Sequence, residues 1–236
     1  MNKKTRTLID LDRTHVWHPF TQMKEWRSEE PVIIERGRGN YLIDTEGKKY
    51  LDGVSSLWAN VHGHRKREID RAVKAQLDKI AHSTLLGLGN VPSIELAQRL
   101  TAIAPKGLKK VFYSDNGSTA VEIALKMAFQ YCAQTGKGKR KKKFIAFTGA
   151  YHGDTFGSMS VGEIDIFVKK YRPLLFETLR APYPYCYRCP VKKSYPDCKT
   201  ACLDVFEDML GKHHREIAAC VIEPGFEGAA GMITSP

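Results

Sequence analysis

The sequence predicts an α/β protein in which a mostly parallel sheet lies between helices, preceded by a small antiparallel meander. Three observations carry this. Short apolar runs at 110–113, 143–147 and 217–222 alternate with longer stretches at helical spacing, the order a parallel sheet needs because each crossover must travel back along it. The runs between residues 31 and 55 are instead separated only by tight-turn residues, which suits antiparallel neighbours. The chain has 236 residues and is 42% hydrophobic, enough to bury a large core as one domain or two.

Residues up to about 27 read as a helix followed by the irregular Trp17-His18-Pro19-Phe20-Thr21, where proline disfavours helical backbone at His18. Val32-Ile33-Ile34, Tyr41-Leu42-Ile43 and Lys49-Tyr50-Leu51 read as three short strands, parted by Gly37-Arg38-Gly39-Asn40 and Asp44-Thr45-Glu46-Gly47. Segment 55–64 has no period and reads as a loop whose side chains can line a pocket. An amphipathic helix is expected over 66–82, with Ile69, Val73, Leu77 and Ile80 on one face. Gly87 and Gly89 break the chain, and Pro92 suits the first turn of a helix over 93–104.

The stretch 110–131 is the centre of the reading. Val111-Phe112-Tyr113 is a strand, Ser114-Asp115-Asn116-Gly117-Ser118 a turn, and Val121, Ala124, Leu125 and Ala128 the apolar side of a long helix. Strands at 143–147 and 217–222 follow, with a helix over 200–211 before the last. The turns Asp115-Asn116-Gly117-Ser118, Tyr151-His152-Gly153-Asp154 and Glu223-Pro224-Gly225 all come after strands, and ligands of such folds collect at the strands' carboxyl ends. The first turn seats a phosphate on helix N–H groups, or is a plain cap made by Asn116 and Ser118. Tyr151 is a ring for stacking on a flat cofactor, or an ordinary packed aromatic. Glu223 meets a charged ligand, or ends its strand in water. There is no GxGxxG and no Walker lysine, which argues against a dinucleotide or nucleoside triphosphate site.

Lysine and arginine number 37 against 26 acidic residues, a net charge of +11. Six of the positive charges fall in the run from Lys137 to Lys143, which reads as a solvated connection. Neither a nucleic-acid nor a membrane partner is expected: the basic N-terminus lacks the apolar core of a signal peptide, and no run is long enough to cross a bilayer. The expectation is a cytoplasmic protein with its six cysteines reduced. Cys186, Cys189, Cys198 and Cys202 follow the spacing C-x2-C-x8-C-x3-C, which suits structural zinc or an iron–sulfur cluster, or belongs to a reduced surface excursion. Cys132 and Cys220 read as core residues. The lysine run and the cysteines also sustain a different class of reading, a basic nucleic-acid or metal-binding module without catalysis.

The run from Ser114 through Gly117 and Ser118 to Ala128, then Tyr151-His152-Gly153-Asp154-Thr155, then Ile222-Glu223-Pro224 resembles, motif by motif and in order, the class III aminotransferases that use pyridoxal phosphate. Trp17-His18-Pro19-Phe20-Thr21, Asp52-Gly53-Val54-Ser55-Ser56-Leu57-Trp58 and 151–161 are similar to the branch that converts 8-amino-7-oxononanoate to 7,8-diaminononanoate in biotin synthesis. Another class III enzyme, acting on a different ω-amine, is the alternative. The resemblance covers essentially the whole chain and implies the fold-type I architecture, with 1–60 in the small domain and 61–236 opening the large cofactor domain. It implies that Gly117 and Ser118 hold the cofactor phosphate, that Tyr151 stacks on its ring beside the substrate, and that Glu223 lies near the ring substituents. Phe20, Leu57 and Trp58 fall in segments that shape the substrate pocket. A homodimer is implied as well.

Two departures touch the chemistry. Relatives that use S-adenosylmethionine as amine donor often carry tyrosine at the place of Phe20 and tryptophan at that of Leu57, while some with phenylalanine use lysine, so both donors stay open. Glu227 stands where the family usually has glutamine. In the family the aspartate under the ring nitrogen and the Schiff-base lysine lie beyond the Glu-Pro segment, and no lysine here matches that motif. The chain is therefore expected to be roughly the first half of such an enzyme, inactive alone and without a catalytic residue of its own.

Overall fold

A computed structural model describes residues 1–136, 138 and 140–234. They form two compact units, one up to Ala102 and one from Ile103.

In the first unit, helix α1 (Lys3–His15) starts where the Asn2 side chain accepts the Thr5 N–H at 2.9 Å. The Thr5 hydroxyl reaches Glu46 at 2.5 Å and Thr45 at 2.8 Å, fastening the helix to the meander. A single helical turn, α2 (Met23–Trp26), follows. Strands β1 (Ile34–Arg38), β2 (Tyr41–Asp44) and β3 (Lys49–Leu51) pair antiparallel in that order. β1 thus starts at the last residue of the expected strand and runs on through Gly37, because its partners on β2 are Asp44 to Tyr41. Helix α3 (Arg67–Leu77) ends before residue 82: the Asp78 N–H still reaches the Lys74 carbonyl, but that of Lys79 turns to the nearer Gln76 carbonyl and tightens the last turn. Its expected apolar face, Ile69, Val73, Leu77 and Ile80, lies about half exposed. Helix α4 (Val91–Ile103) carries Pro92 in its first turn, as expected.

The second unit is built on β4 (Lys143–Phe147), flanked by β5 (Thr178–Ala181) and β6 (Ile217–Val221), both parallel to it. Strand side chains alternate between faces. Phe144 and Ala146 pack with Leu125, Val121 and Ala128 of helix α5 (Gly117–Gln134). Ile145 and Phe147 pack with Tyr183, Ile217 and, from helix α8 (Ala201–His213), Phe206, Met209 and Leu210. Helices on both faces explain why β4 reads as a continuous apolar run. Short helices α6 (Phe156–Val161) and α7 (Asp165–Val168) lie between β4 and β5. Strands β7 (Phe226–Glu227) and β8 (Met232–Ile233) close a small hairpin after β6.

Three sequence expectations are corrected. Residues 110–113 form no strand, because no described strand pairs with them. β5 escaped the sequence reading, since Arg180 interrupts its apolar pattern; the guanidinium donates to the carbonyls of Ser160, Val161 and Gly162 at 2.6–2.8 Å. Cys220, expected in the core, lies on β6 and is exposed. Lys137 and Lys139 fall outside the described residues. Further along the basic run, Lys141 donates to the carbonyls of His214 and Ile217, and Lys143 pairs with Glu216 at 2.9 Å. Among the described residues no helix is long and apolar enough to cross a membrane.

Candidate functional site

The N-terminus of α5 is set by a reciprocal cap. The Asn116 side chain accepts the Thr119 N–H at 3.0 Å and the Thr119 hydroxyl accepts the Asn116 N–H at 3.1 Å. The Ala120 N–H goes to the Asn116 carbonyl. The N–H groups of Gly117 and Ser118 donate to no protein group among the described residues, and a methyl added at Gly117 would meet nothing within 4 Å. Two free donors, open space and the positive end of an 18-residue helix fit a phosphate. The cap and the anion seat are therefore compatible, because they use different N–H groups.

The loop after β4 closes onto this end. The Ser118 hydroxyl accepts the Thr155 N–H at 3.0 Å and shares a 2.9 Å hydrogen bond with the Thr155 hydroxyl. Gly153 adopts φ +123°, and a Cβ there would lie 2.3 Å from Ser118 Oγ and 2.7 Å from Ser118 Cα, so only glycine fits. One turn along α5, Glu122 accepts the N–H groups of Gly157 and Ser158 and caps α6. Gly153, Thr155 and Glu122 were missed as positioning residues; the glycine inside Tyr151-His152-Gly153-Asp154-Thr155 was the available signal.

Tyr151 is held at both ends. Its N–H donates to Glu223 Oε1 at 2.8 Å and its hydroxyl to Asp154 at 2.8 Å. Its ring lies 5.4 Å from that of Phe167. Burial, with Asp154 adding to it, pushes the phenol up to about 12, so it stays a proton donor. The second oxygen of Glu223 accepts the Gly228 N–H at 3.0 Å. Glu223 is thus a brace between the Tyr151 loop and the β7–β8 hairpin.

Glu227 is fully buried, and neither carboxyl oxygen has a partner among the described residues. Burial first, then the neighbouring Glu223 and Glu163, push its carboxyl up to about 8. At neutral pH it keeps its proton and is as uncharged as a glutamine would be. His152 Nε2 is also buried with no partner among the described residues, and burial lowers the pKa of the ring, favouring neutral imidazole.

In the first unit, Asp52 organises the segment read as a pocket loop. It accepts the Ser56 N–H at 2.7 Å and the Ser56 hydroxyl at 2.8 Å, and meets His64 at 2.8 Å. Ser55–Trp58 is a left-handed turn with φ between 48° and 70°, a conformation costly for side-chain-bearing residues. It presents Leu57 and Trp58 at 74% and 64% exposure. Phe20, also at positive φ, is 80% exposed. Beside it, Asp12 binds both His18, at 2.9 Å, and the Trp26 indole N–H, at 2.8 Å.

The expected zinc or iron–sulfur site is not supported: among the described residues no three histidine, cysteine or acidic side chains form a metal-holding group. Three of the excursion's four cysteines sit in separate local structure. Cys186 lies in a 3-10 turn, Cys189 accepts the Lys193 N–H at 3.5 Å, and Cys202 is buried in the first turn of α8.

The chain was compared with known proteins. The family model described as "Aminotransferase class-III" matches residues 23–236. The adenosylmethionine-8-amino-7-oxononanoate aminotransferase of Geobacter sulfurreducens is 58% identical over 233 residues, 98% of this chain and 51% of the relative. The crystal structure of the Methanocaldococcus jannaschii enzyme of that name superposes with a TM-score of 0.88 at 49% identity, covering 98% of this chain and 50% of the other. An (S)-enantioselective omega-transaminase from Thermomicrobium roseum gives 0.89 at 30% identity, over 98% and 51%. The chain spans about half the length of the curated relatives it matches. With a family match over nearly all of its residues and relatives above 30% identity across its length, the chain belongs to the class III aminotransferases.

Proposed function

We propose that the complete protein is a pyridoxal-phosphate aminotransferase that converts 8-amino-7-oxononanoate to 7,8-diaminononanoate, with S-adenosylmethionine or lysine as amine donor. The observation that carries the cofactor reading is the α5 N-terminus, with the free N–H groups of Gly117 and Ser118 behind a cap that does not use them. The names of relatives at 49–58% identity supply the substrate, and those names favour S-adenosylmethionine as donor.

Gly117 and Ser118 hold the cofactor phosphate, and Tyr151 lies against the cofactor ring with its hydroxyl fixed by Asp154. Glu223 keeps the Tyr151 loop in place. Phe20, Leu57 and Trp58 recognise the substrates. When bound, pyridoxal phosphate supplies an aldehyde that takes up the donor amine and a ring that withdraws electrons from the carbon losing its proton. Protonated Glu227 and neutral His152 keep the surroundings of Glu223 low in charge. No lysine of the chain sits in the family's anchoring motif, so the anchoring amine lies outside these 236 residues and they do not turn over substrate alone. Residues 1–60 belong to the small domain and 61–236 to the large one, in a cytoplasmic homodimer.

The test is to load the complete protein with pyridoxal phosphate, add 8-amino-7-oxononanoate with each donor in turn, and detect the diamine by mass spectrometry. Turnover with one donor identifies it. Failure to bind the cofactor sinks the reading. Turnover only with simple ω-amines would favour a second reading, supported by the omega-transaminase structures that superpose at 30% identity.

A further inference from the structure

The four cysteines of the excursion line one cavity of about 290 Å³, together with Tyr185, Tyr195 and otherwise mostly apolar side chains. They are unlike one another. The Cys189 sulfur accepts the backbone N–H of Lys193 at 3.5 Å, and those of Val191 and Lys192 also favour its thiolate, as does the Lys193 ammonium. Cys202 sits in the first turn of α8, buried. Burial holds its thiol up, and negative charge on Cys189 or Cys186 would raise it further, which makes both its electrostatic neighbours. A part-exposed sulfur facing backbone N–H groups and one ammonium is the environment of a reactive cysteine, and a buried thiol lining the same cavity is placed to resolve an oxidised one. All six cysteines are free, so no existing disulfide consumes the pair.

We propose that this cavity is a peroxide-reactive dithiol site in which Cys189 is the attacking sulfur and Cys202 its resolving partner. Cys189 thiolate attacks a hydroperoxide: an S–O bond forms, the O–O bond breaks, sulfur loses two electrons, and the leaving alkoxide or hydroxide takes a proton from water. The Cys202 sulfur then attacks the sulfenic acid; an S–S bond forms, the S–O bond breaks, and the hydroxyl leaves as water with the Cys202 proton. A small-molecule thiol reverses the bridge by exchange. The bridge would tie the excursion to the start of α8. Thr234 lines the same cavity and bonds to the Gly225 carbonyl, so the chemistry takes place beside the hairpin that Glu223 braces.

The experiment uses the complete protein, reduced, freed of reductant and treated with graded hydrogen peroxide before alkylation and peptide mapping. Cys189 should alkylate at least about tenfold faster than Cys132 at neutral pH. Equimolar peroxide should yield one bridge, Cys189 to Cys202, removed by dithiothreitol. Cys189→Ser should abolish it. Cys202→Ser should instead leave Cys189 as a trappable sulfenic acid, and Cys186→Ser should leave the bridge intact, which separates resolution from a mere packing role. A bridge between Cys186 and Cys189, equal reactivity of Cys189 and Cys132, or a co-purifying metal that shields the thiols would each overturn the proposal.

Discussion

The turns around Ser118, Tyr151 and Glu223 are closed by their own hydrogen bonds, whereas Phe20, Leu57 and Trp58 stand exposed on strained backbone. In the first region polar groups meet other polar groups of the same unit, and Gly153 lets the backbones approach. In the second, Asp52 holds the Ser56 N–H and Asp12 the side chains of His18 and Trp26, while Phe20, Leu57 and Trp58 are mostly exposed. On the proposed function, the difference separates what would hold a cofactor from what would recognise a substrate. Substitutions in the closed region should act on stability and cofactor binding together, and those in the exposed one on substrate use with little change in stability.

The largest effect should come from Gly153→Val. It forces a branched side chain into positive φ and onto the Ser118 backbone, and should cost about 4 kcal/mol or prevent folding; denaturant unfolding with and without pyridoxal phosphate measures it. Next is Glu227→Gln. The folded carboxyl is held at about 8 against an ordinary 4.5. Between those pH values the unfolded chain releases the proton and the fold retains it, so stability falls as pH rises from 4.5 and levels off above about 8. Glutamine removes that slope: no gain near pH 4, and a gain on the order of 4 kcal/mol at pH 8. A variant with the same pH profile as the parent would show that Glu227 does not carry the proton.

Ser118→Ala removes the acceptor of the Thr155 N–H and should cost about 1–2 kcal/mol, with weaker cofactor binding. Restored stability with unrestored cofactor affinity on saturating phosphate would separate loop closure from anion binding. The smallest change in stability, within about 0.5 kcal/mol, is expected for Phe20→Tyr and Leu57→Trp on the exposed turns. In the complete protein their effect should appear as a shift in kcat/KM between S-adenosylmethionine and lysine. Equal kcat/KM ratios in parent and variants would remove both residues from donor choice.

The sequence by itself determined the alternation of β4, α8 and β6, the meander and the start of α5, because apolar periodicity, turn residues and caps are local signals. It also singled out Gly117, Ser118, Tyr151 and Glu223 as candidates by their order in the chain. Only the tertiary structure decided that 110–113 pairs with no described strand, that Arg180 is tied down by three carbonyls, and that Glu223 is a brace. It also decided that Glu227, a carboxylate in the sequence, is an uncharged acid in the fold. Ladder pairing, burial and shared hydrogen bonds depend on residues far apart in the chain, which no local pattern encodes.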